Sequence, residues 1–289
     1  MKIIETIQEL RKELQPHRSN AIGLVPTMGY LHEGHLSLIR RAKQECNTVV
    51  VSIFVNPLQF GPNEDFERYP RDLERDAQLA EEVGADLLFT PSAAEMYPRP
   101  IRTRVTVAGL TERLCGASRP GHFDGVTTVV SKLFHIVEPD RAYFGQKDAQ
   151  QAAVIQQMVQ DLNFPLEVIV CPTVREPDGL ALSSRNVYLS EEERRQATVL
   201  FQSLQEAEKR WRDGAFSSAA EMEAFIRDRI ETQPLAVIDY VSVLRYPALE
   251  LPEDLHGPLI VAVAVFFGKT RLIDNVVLPG KEEAACFAR

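Results

Sequence analysis

The residues best suited to chemistry lie together in one decapeptide, PTMGYLHEGH, at positions 26–35. Two of them, His32 and His35, are three positions apart, so at the start of a helix their imidazoles share a face. A glycine-containing turn between a strand and a helix presents free backbone N–H groups and the positive end of the helix dipole. Gly34 removes bulk where a phosphate or an adenine would approach closely. We interpret this turn as an anion-binding site; the alternative, a metal on the two histidines, has no third ligand nearby in the sequence.

Two neutral amides follow the most strongly β-branched segment of the chain. The segment TVVVSIFV at 48–55 is predicted to be a central parallel strand, and Asn56 and Gln59 come directly after it. In open α/β sheets, ligands sit outside the carboxyl ends of the strands. The amides suit hydrogen bonds to the hydroxyls and carboxylates of a small polar substrate, although an Asn-Pro turn by itself is more often structural.

Two further segments contain residues suited to phosphate. Lys147, in FGQKDAQQ at 144–151, can neutralise phosphate charge, while Asp148 beside it is equally well explained as a helix N-cap. Two hydroxyls stand beside Arg185 in LSSRN at 182–186 and suit phosphate oxygens. The same composition is also that of an ordinary loop.

Three other features are weaker. RPGHFDGV at 119–126 is a turn flanked by glycines, and it forms either a movable wall or a structural turn. Gly268-Lys269-Thr270 resembles the end of a P-loop, but Val263 stands where the first glycine of that motif must be. No two glycines are separated by a single residue, so a G-x-G-x-x-G dinucleotide fingerprint is absent. Phosphate binding is therefore assigned to the histidine-bearing turn.

These segments require a framework of alternating strands and helices. The apolar runs predict strands at 21–25, 48–55, 85–89, 141–144 and 166–170. The helix-period segments between them predict helices at 36–45, 71–83, 126–137 and 149–162. Strands separated by helices are typical of βαβ units, so we predict an α/β fold with a doubly wound parallel sheet.

The chain changes character after about residue 186. Ser190 suits an N-cap with Glu193 three residues later, a capping-box pattern that opens a long predicted helix to about Trp211. The segments that follow predict a helix at 217–232 and strands at 240–244, 259–267 and 271–277. We therefore predict two domains, residues 1–180 and a smaller α+β domain at 181–289, with the boundary between 175 and 188.

Composition excludes several classes of protein. With 289 residues, of which 45% are hydrophobic and 25% charged, the chain can form a sizeable globular core. The 32 Lys and Arg against 41 Asp and Glu leave a formal charge of −9. So acidic a chain lacks the basic face that non-specific nucleic-acid binding needs, and a membrane-surface role is disfavoured as well. Any phosphate must be held by a few local groups.

The cysteines and the N-terminus indicate a reducing compartment. The cysteines are far apart, form no C-x-x-C pair, and match neither a disulfide framework nor a zinc ribbon. They are Cys46, Cys115, Cys171 and Cys286. The charged N-terminus lacks the apolar core of a signal peptide, and the longest apolar run, 259–267, has the length of a strand. We expect free thiols in a cytoplasmic protein without membrane segments.

In combination, several of these segments resemble the pantothenate synthetase (pantoate–β-alanine ligase) family of the nucleotidylyltransferase superfamily. They are PTMGYLHEGH, FVNPLQF, RPGHFDGV, FGQKDAQQ, LSSRN and TRLIDN, which span about residues 22–277. The H-x-G-H signature alone marks only the superfamily, whereas the set, its order and its spacing are specific to this family. The resemblance implies a Rossmann-like N-terminal domain with a smaller C-terminal lid, usually in a homodimer. It also implies condensation of D-pantoate with β-alanine, driven by ATP and Mg²⁺ through a pantoyl-adenylate, with release of AMP and pyrophosphate.

The resemblance further implies an ATP-binding set made of three segments. Its members are Met28, Gly29, Tyr30, Leu31, His32, Glu33, Gly34, His35, Gly145, Gln146, Lys147, Asp148, Val174, Leu182, Ser183, Ser184 and Arg185. Within this set, His35 aligns with the proton donor of the family, and His32, Lys147 and Arg185 are the other catalytic candidates. The family commonly has Met and Glu where this chain has Leu182 and Gln146, two departures that leave the phosphate-binding side chains in place.

The same resemblance implies the substrate and metal residues. Gln59 and Gln151 match glutamines that bind pantoate, and Gln59 also lies where β-alanine enters. Asn56 is expected to belong to the same pocket. Asp76 is a candidate carboxylate on the Mg²⁺ side by its position, the alternative being a charged helix face.

Two other functions stay open at this point. A nucleotidyltransferase that passes AMP or CMP to a phosphorylated substrate shares the H-x-G-H turn, although Gln59 and Gln151 suit an unphosphorylated hydroxy acid better. A noncatalytic nucleotide sensor on the same fold would be favoured by loss of Lys147 or of the histidines, and all of these are present. We therefore predict the ligase.

Overall fold

Six parallel strands form the sheet that the alternation of apolar runs and helices predicts. The computed structural model describes residues 1–62 and 64–280. The strands are β1 (Lys2–Ile4), β2 (Ile22–Thr27), β3 (Thr48–Ile53), β4 (Leu87–Phe89), β5 (Arg141–Gly145) and β6 (Glu167–Cys171). They lie in the order β1-β4-β3-β2-β5-β6, and each neighbouring pair is parallel. The predicted α/β class with a doubly wound parallel sheet is confirmed.

Helices cover both faces of this sheet. They are α1 (Ile7–Leu14), α2 (Glu33–Glu45), α3 (Leu73–Glu82), α4 (Ala93–Met96), α5 (Leu114–Ser118), α6 (His122–Val137) and α7 (Ala149–Asp161). Alternate residues of β3 face opposite cores: Val50 packs with α1, α6 and α7, whereas Val49 and Val51 pack with α2 and α3. A strand buried on both faces needs a continuous apolar, β-branched run, which is why TVVVSI forms this strand.

The second part of the chain forms a smaller antiparallel sheet with its own helices. Its elements are α8 (Glu191–Gln196), α9 (Val199–Arg212), α10 (Ala219–Ile230), β7 (Ala236–Arg245), β8 (Leu259–Phe267) and β9 (Thr270–Leu278), with strand order β7-β8-β9. On β8, Val261 and Val263 pack under α9 and α10, whereas Ile260 and Ala262 join the core that contains α6 and α7. One hydrophobic core therefore contains residues of both sheets, and a second core lies between the smaller sheet and its own helices.

Several elements differ from the expectation: one predicted helix is divided in two, and β1, α1, α4 and α5 have no predicted counterpart. The single long helix predicted from Ser190 to Trp211 is wrong, because the chain forms α8 and α9 with a turn between them. At that turn the Thr198 hydroxyl donates to the Arg195 carbonyl at 2.9 Å, which competes with the regular helical bonds. The capping box that was predicted at the start of α8 is present. No prediction covers β1 and α1, because a strand of three residues and a helix of eight are too short to show a clear period.

Three of the four cysteines lie in the described part of the chain. Cys46, Cys115 and Cys171 are free and buried, and Cys286 lies outside the described residues. Within residues 1–62 and 64–280, no helix has the length and apolar character needed to cross a bilayer.

Candidate active site

The candidate site lies where the strand order reverses. From β2 the chain builds outward through β3 on one side and β5 on the other, and ligands of open α/β sheets bind at such a point, outside the carboxyl ends of the strands. The turn at 28–32 follows β2, and the turn at 145–148 follows β5. Two adjoining cavities of about 210 and 1060 Å³ open here. The residues that line both are Lys147, Asp148, Gln151, Ser183 and Arg185.

A buried carboxylate beneath the first turn holds its backbone in place. The side chain of Asp76 is 1% exposed, and its two oxygens accept the N–H groups of Tyr30 at 2.7 Å and Leu31 at 2.6 Å. Gly29 and Tyr30 have φ angles of +86° and +51°, in the left-handed region. A Cβ on Gly29 would lie only 2.9 Å from the side chain of Ile53. The turn is therefore tight, and Asp76 lies under it rather than in the lining of either cavity.

Backbone hydrogen bonds orient His32 and His35 at the start of α2. The Nδ1 atom of His32 accepts the N–H of Gly34 at 3.2 Å, and the Nδ1 atom of His35 accepts the N–H of His32 at 3.3 Å. Because both Nδ1 atoms are acceptors, the proton of each neutral ring is on Nε2. The ring centroids are 4.0 Å apart, and both rings line the smaller cavity. The histidines thus present two Nε2–H donors to a ligand.

Both imidazoles are uncharged at neutral pH. Burial lowers the pKa of His32 to about 4, and the nearby charge of Lys147 acts in the same direction. Burial also holds the pKa of His35 well below its usual range, with smaller contributions from His32 and Lys147. The turn therefore offers neutral donors rather than two imidazolium charges.

Gly34 makes room for a histidine ring. A Cβ at this position would lie 2.9 Å from both Cε1 and Nδ1 of His32, closer than side-chain atoms can approach. Any larger residue would push the imidazole out of its N-capping position. The interpretation of Gly34 as space for a phosphate or an adenine stays a prediction.

Lys147 lies at the junction of the two cavities, on a turn that the second sheet holds. Its Nζ is 3.8 Å from the nearer carboxylate oxygen of Asp148, a long contact that leaves the ammonium available to a ligand. The buried side chain of Asn275, on β9, donates to the backbone carbonyls of Gln146 at 3.0 Å and Lys147 at 2.9 Å. The smaller sheet therefore positions the lysine through its main chain.

Arg185 connects two loops over the cleft. Its Nε and Nη2 donate to the two carboxylate oxygens of Asp65 at 2.9 and 3.0 Å, a two-point ion pair. Ser183 caps the short helical turn at 184–188 by accepting the Arg185 N–H at 3.2 Å. Ser184 is buried and contacts the carbonyl of Tyr30 at 3.4 Å. Among residues 1–62 and 64–280, the Nη1 group of Arg185 has no hydrogen-bond partner and can meet a ligand.

Two glutamines reach the smaller cavity. The Oε1 atom of Gln59 accepts an N–H from Asn56 at 3.2 Å, and its Nε2 is 3.1 Å from the sulfur of Met28. Gln151 makes no side-chain hydrogen bond with the described residues, and its amide is available to a ligand. The apolar lining of this cavity includes Met28, Phe54, Val126, Val129, Val130 and Leu133. Amide groups set in an apolar wall suit a small, branched hydroxy acid.

The turn at 119–126 is tied to the backbone of Gln59. The Nδ1–H of His122 donates to the Gln59 carbonyl at 2.8 Å, so its Nε2 is an acceptor, 3.1 Å from Nη1 of Arg119. Arg119 also donates to Glu64 at 2.8 Å. Burial lowers the pKa of His122 to about 4, with the charge of Arg119 acting in the same direction. Both ring nitrogens of this neutral histidine are therefore used inside the protein.

Most of the residues implied by the resemblance line the smaller cavity. They are Met28, His32, Gly34, His35, Gln59, Gly145, Lys147, Asp148, Gln151, Val174, Leu182, Ser183, Ser184 and Arg185. Those that line neither cavity are Gly29, Tyr30, Leu31, Glu33, Asn56, Asp76 and Gln146. Glu33 pairs with Arg40 on the surface. Asp76 lies on α3, as a charged residue of a helix face would, but its side chain is buried.

Sequence reasoning missed two residues that support the site. Asp65 pairs with Arg185 from 120 positions away, and Asn275 holds the main chain of Lys147 from 128 positions away. Asn275 ends the segment TRLIDN, but neither that segment nor the residues around Asp65 indicate the partner, so only the folded chain identifies these two contacts.

The sequence of this chain is similar to those of one family of enzymes. A sequence model of the family described as pantoate-beta-alanine ligase matches residues 2–277. The chain is similar to pantothenate synthetases of Acetivibrio thermocellus, with 59% identity over 96% of this chain and 99% of the relative, and of Geobacillus kaustophilus, with 54% identity over 100% of both.

Solved structures extend the likeness to three dimensions. The pantothenate synthetase of Thermus thermophilus superposes with a TM-score of 0.91 at 50% identity, covering 96% of this chain and 99% of that one. The pantoate-beta-alanine ligase of Francisella tularensis, solved with beta-gamma ATP and beta-alanine, gives 0.80 at 37% identity over 96% and 97%. The chain therefore belongs to the pantoate–β-alanine ligase family.

Proposed function

We propose that this cleft condenses D-pantoate with β-alanine to pantothenate at the expense of ATP, through a pantoyl-adenylate, with release of AMP and pyrophosphate. One observation carries the proposal: cationic and N–H donor groups suited to phosphate line the same cavity as the two glutamine amides and their apolar wall. Groups that bind ATP phosphates and groups that bind a hydroxy acid are thereby brought together.

The first step needs stabilisation of negative charge. A carboxylate oxygen of pantoate attacks the α-phosphorus of ATP, and the bond from that phosphorus to the β-phosphate oxygen breaks, so pyrophosphate leaves with the electron pair. The Nε2–H groups of His32 and His35 donate to the phosphate oxygens, and Lys147 supplies positive charge. Because the backbone orients these donors in advance, they stabilise the transition state with little reorganisation. With its pKa held well below the usual range, His35 acts as a hydrogen-bond donor, and no proton transfer from it is needed.

The second step releases AMP. The amine of β-alanine attacks the acyl carbon of the adenylate, the bond from that carbon to the phosphate oxygen breaks, and the nitrogen loses a proton. We assign Ser183, Ser184 and the free Nη1 of Arg185 to the phosphate oxygens. Gln59 and Gln151 bind the oxygens of pantoate, whose branched carbon skeleton packs on the apolar wall.

Mg²⁺ would enter with ATP rather than occupy a protein cage. Within residues 1–62 and 64–280, no group of three or more His, Cys, Asp or Glu side chains can hold a metal ion. Both oxygens of Asp76 already accept backbone N–H groups, whereas the Asp148 carboxylate is 48% exposed in the cleft. Asp148 is therefore the carboxylate we assign to the ion, alongside phosphate oxygens. When bound, Mg²⁺ neutralises charge on the phosphates.

The smaller sheet is suited to the role of a lid. An acyl-adenylate must be shielded from water until the amine attacks, and we assign this shielding to residues beyond position 180. Two contacts support this assignment. Asn275 of the smaller sheet holds the main chain of Lys147, and Arg185 pairs with Asp65, which lies within residues 1–180. The homodimer and the cytoplasmic location stay predictions.

Pyrophosphate release tests the proposed function. With ATP, Mg²⁺ and D-pantoate we expect pyrophosphate, and with β-alanine added we expect AMP and pantothenate. Lys147→Ala and His35→Ala are each expected to slow the release by about 100-fold or more, since each removes a group that stabilises transition-state charge. Their far-UV circular dichroism should match that of the wild type.

Two outcomes would contradict these assignments. Pyrophosphate release only with a phosphorylated acceptor would move the protein to the wider nucleotidyltransferase class. Near-normal turnover in either variant would show that the substituted residue has another role.

A further inference from the structure

Asn56 lies beneath the smaller cavity, where it cannot touch a ligand. Its side chain is 1% exposed, and protein groups use its whole hydrogen-bonding capacity. Its Oδ1 accepts the Leu58 N–H at 3.3 Å and the Tyr97 hydroxyl at 2.8 Å. Its Nδ2 donates to the Gly125 carbonyl at 3.1 Å and to Oε1 of Gln59 at 3.2 Å.

Two backbone groups assign the oxygen and the nitrogen of the Asn56 amide, and the Tyr97 hydroxyl helps to hold that amide in place. The N–H of Leu58 can only donate, and the carbonyl of Gly125 can only accept. Exchanging the oxygen and nitrogen of the amide would place donor against donor and acceptor against acceptor. Nδ2 must therefore face Gln59.

The orientation of Gln59 follows from that of Asn56. Because Asn56 presents a donor, Gln59 meets it with Oε1, and the NH₂ group of Gln59 points the other way, beside the sulfur of Met28. The main chain of Gln59 is held independently, because its carbonyl accepts the ring Nδ1–H of His122 at 2.8 Å. Gln59 therefore offers donors to the cavity, which select an acceptor oxygen in the ligand.

Tyr97 completes the chain of hydrogen bonds from outside the cavities. Its ring packs near Phe54, with centroids 6.0 Å apart, and the ammonium of Lys132 lies 5.4 Å from its centre. Within the described residues, its hydroxyl has one hydrogen-bond partner, Oδ1 of Asn56. Burial raises the pKa of the phenol, so the hydroxyl remains a donor throughout the working range of pH.

We propose that Tyr97 and Asn56 are positioning residues, which hold the Gln59 amide with its NH₂ towards the cavity and so determine how tightly the oxygens of pantoate are bound. The inference rests on the proposed function in one respect, the assignment of Gln59 to pantoate. Neither residue touches the substrate; both act through the direction of one amide.

Tyr97→Phe is the variant that tests the inference. It removes the hydroxyl but keeps the ring that packs on Phe54 and lies beside Lys132. We expect the KM for pantoate in pyrophosphate release to rise about five-fold, the effect of one net hydrogen bond. The KM for ATP and the far-UV spectrum should stay at the wild-type values. The matched control is Lys132→Met, which removes the charge beside the ring, leaves the hydroxyl bond intact and should leave the KM for pantoate unchanged.

Asn56→Asp gives a second test with a stronger expected effect. The aspartate would place an acceptor against Gln59, whose amide would rotate to donate to it and so present an oxygen to the cavity. The KM for pantoate should then rise by more than in Tyr97→Phe. If this variant does not fold, Tyr97→Phe remains decisive.

The outcomes separate this inference from the proposed function. An unchanged KM for pantoate in Tyr97→Phe, or equal rises in the KM for pantoate and for ATP, would overturn the positioning role. Gln59→Ala addresses the function itself: if it leaves the KM for pantoate unchanged, Gln59 does not bind pantoate, whatever Tyr97→Phe shows.

Discussion

Burial, not residue type alone, determines how the histidines act. An exposed imidazole has a pKa near 6.5, whereas burial lowers the pKa of His32 and His122 to about 4 and that of His35 well below its usual value. Two of these rings are donors to the cleft, and the third supports the wall at Gln59. All three work as neutral groups, so the site avoids burying imidazolium charge.

The stability of the protein should fall as the pH is lowered from about 6.5 towards 4. In this window the unfolded chain binds protons at the three histidines and the folded chain does not. The free energy of unfolding therefore increases as the pH rises and decreases on acidification. Each histidine contributes up to about 1.4 kcal/mol per pH unit. His32→Asn keeps an N-cap acceptor and should reduce the slope by one histidine in urea unfolding at several pH values. An identical slope in the variant would contradict the neutral state of His32.

At the scale of elements, the histidine-bearing turn depends on α3, a helix that lines neither cavity. The turn before α2 contains two consecutive residues with positive φ, Gly29 and Tyr30. Asp76, on α3, compensates by accepting the N–H groups of Tyr30 and Leu31. Packing of α3 thereby determines where α2 begins and where His32 and His35 point.

Asp76→Asn should weaken both the fold and the catalysis. The asparagine keeps one oxygen but places an NH₂ group against the other backbone N–H, so the free energy of unfolding should fall by about 1–3 kcal/mol. The kcat/KM should fall with it, since the turn holds the histidines. Glu74→Gln, at an exposed position of the same helix, is the matched control. The dependence of the rate on Mg²⁺ should stay the same; rescue of Asp76→Asn by excess Mg²⁺ would instead identify Asp76 as a metal ligand.

At the scale of the molecule, the two sheets are joined by apolar and polar contacts. Leu244 and Ile260 of the second sheet belong to the same core as α6 and α7. Arg175 forms a two-point ion pair with Asp274 on β9, with distances of 2.6 and 2.9 Å, and Asp274 is buried. These contacts couple the two sheets, so we expect both to respond to denaturant together.

Chemical unfolding should therefore be a single transition. Trp211 is the only tryptophan in the sequence. It lies in the core formed by the smaller sheet with α9 and α10, which we call the second unit. Its fluorescence reports on that unit, whereas far-UV circular dichroism reports on the whole chain. We expect the two midpoints in urea to coincide. A fluorescence transition at lower urea than the circular dichroism transition would show that the second unit unfolds independently.

Local sequence patterns were sufficient to predict most of the helices and strands and to identify the family. The predicted strand at 259–267 coincides with β8, since a continuous apolar run of this length needs burial on both faces. The strand and the helix around H-x-G-H were predicted from residues near in sequence, whereas the turn between them depends on Asp76 of a later helix. The helix predicted from Ser190 to Trp211 failed at Thr198, where a side-chain hydrogen bond competes with the helical period.

The sequence by itself determined the fold class, the family and the segments that form the cleft. Only the tertiary structure decided that His32 and His35 are neutral donors, that Asn56 and Asp76 lie beneath the cavities, and that Asp65 and Asn275 support the site. The physical reason is that these two groups of properties arise between different sets of residues. Helical and strand periods arise between neighbours in the chain, whereas burial and hydrogen-bond partners come from segments that folding brings together.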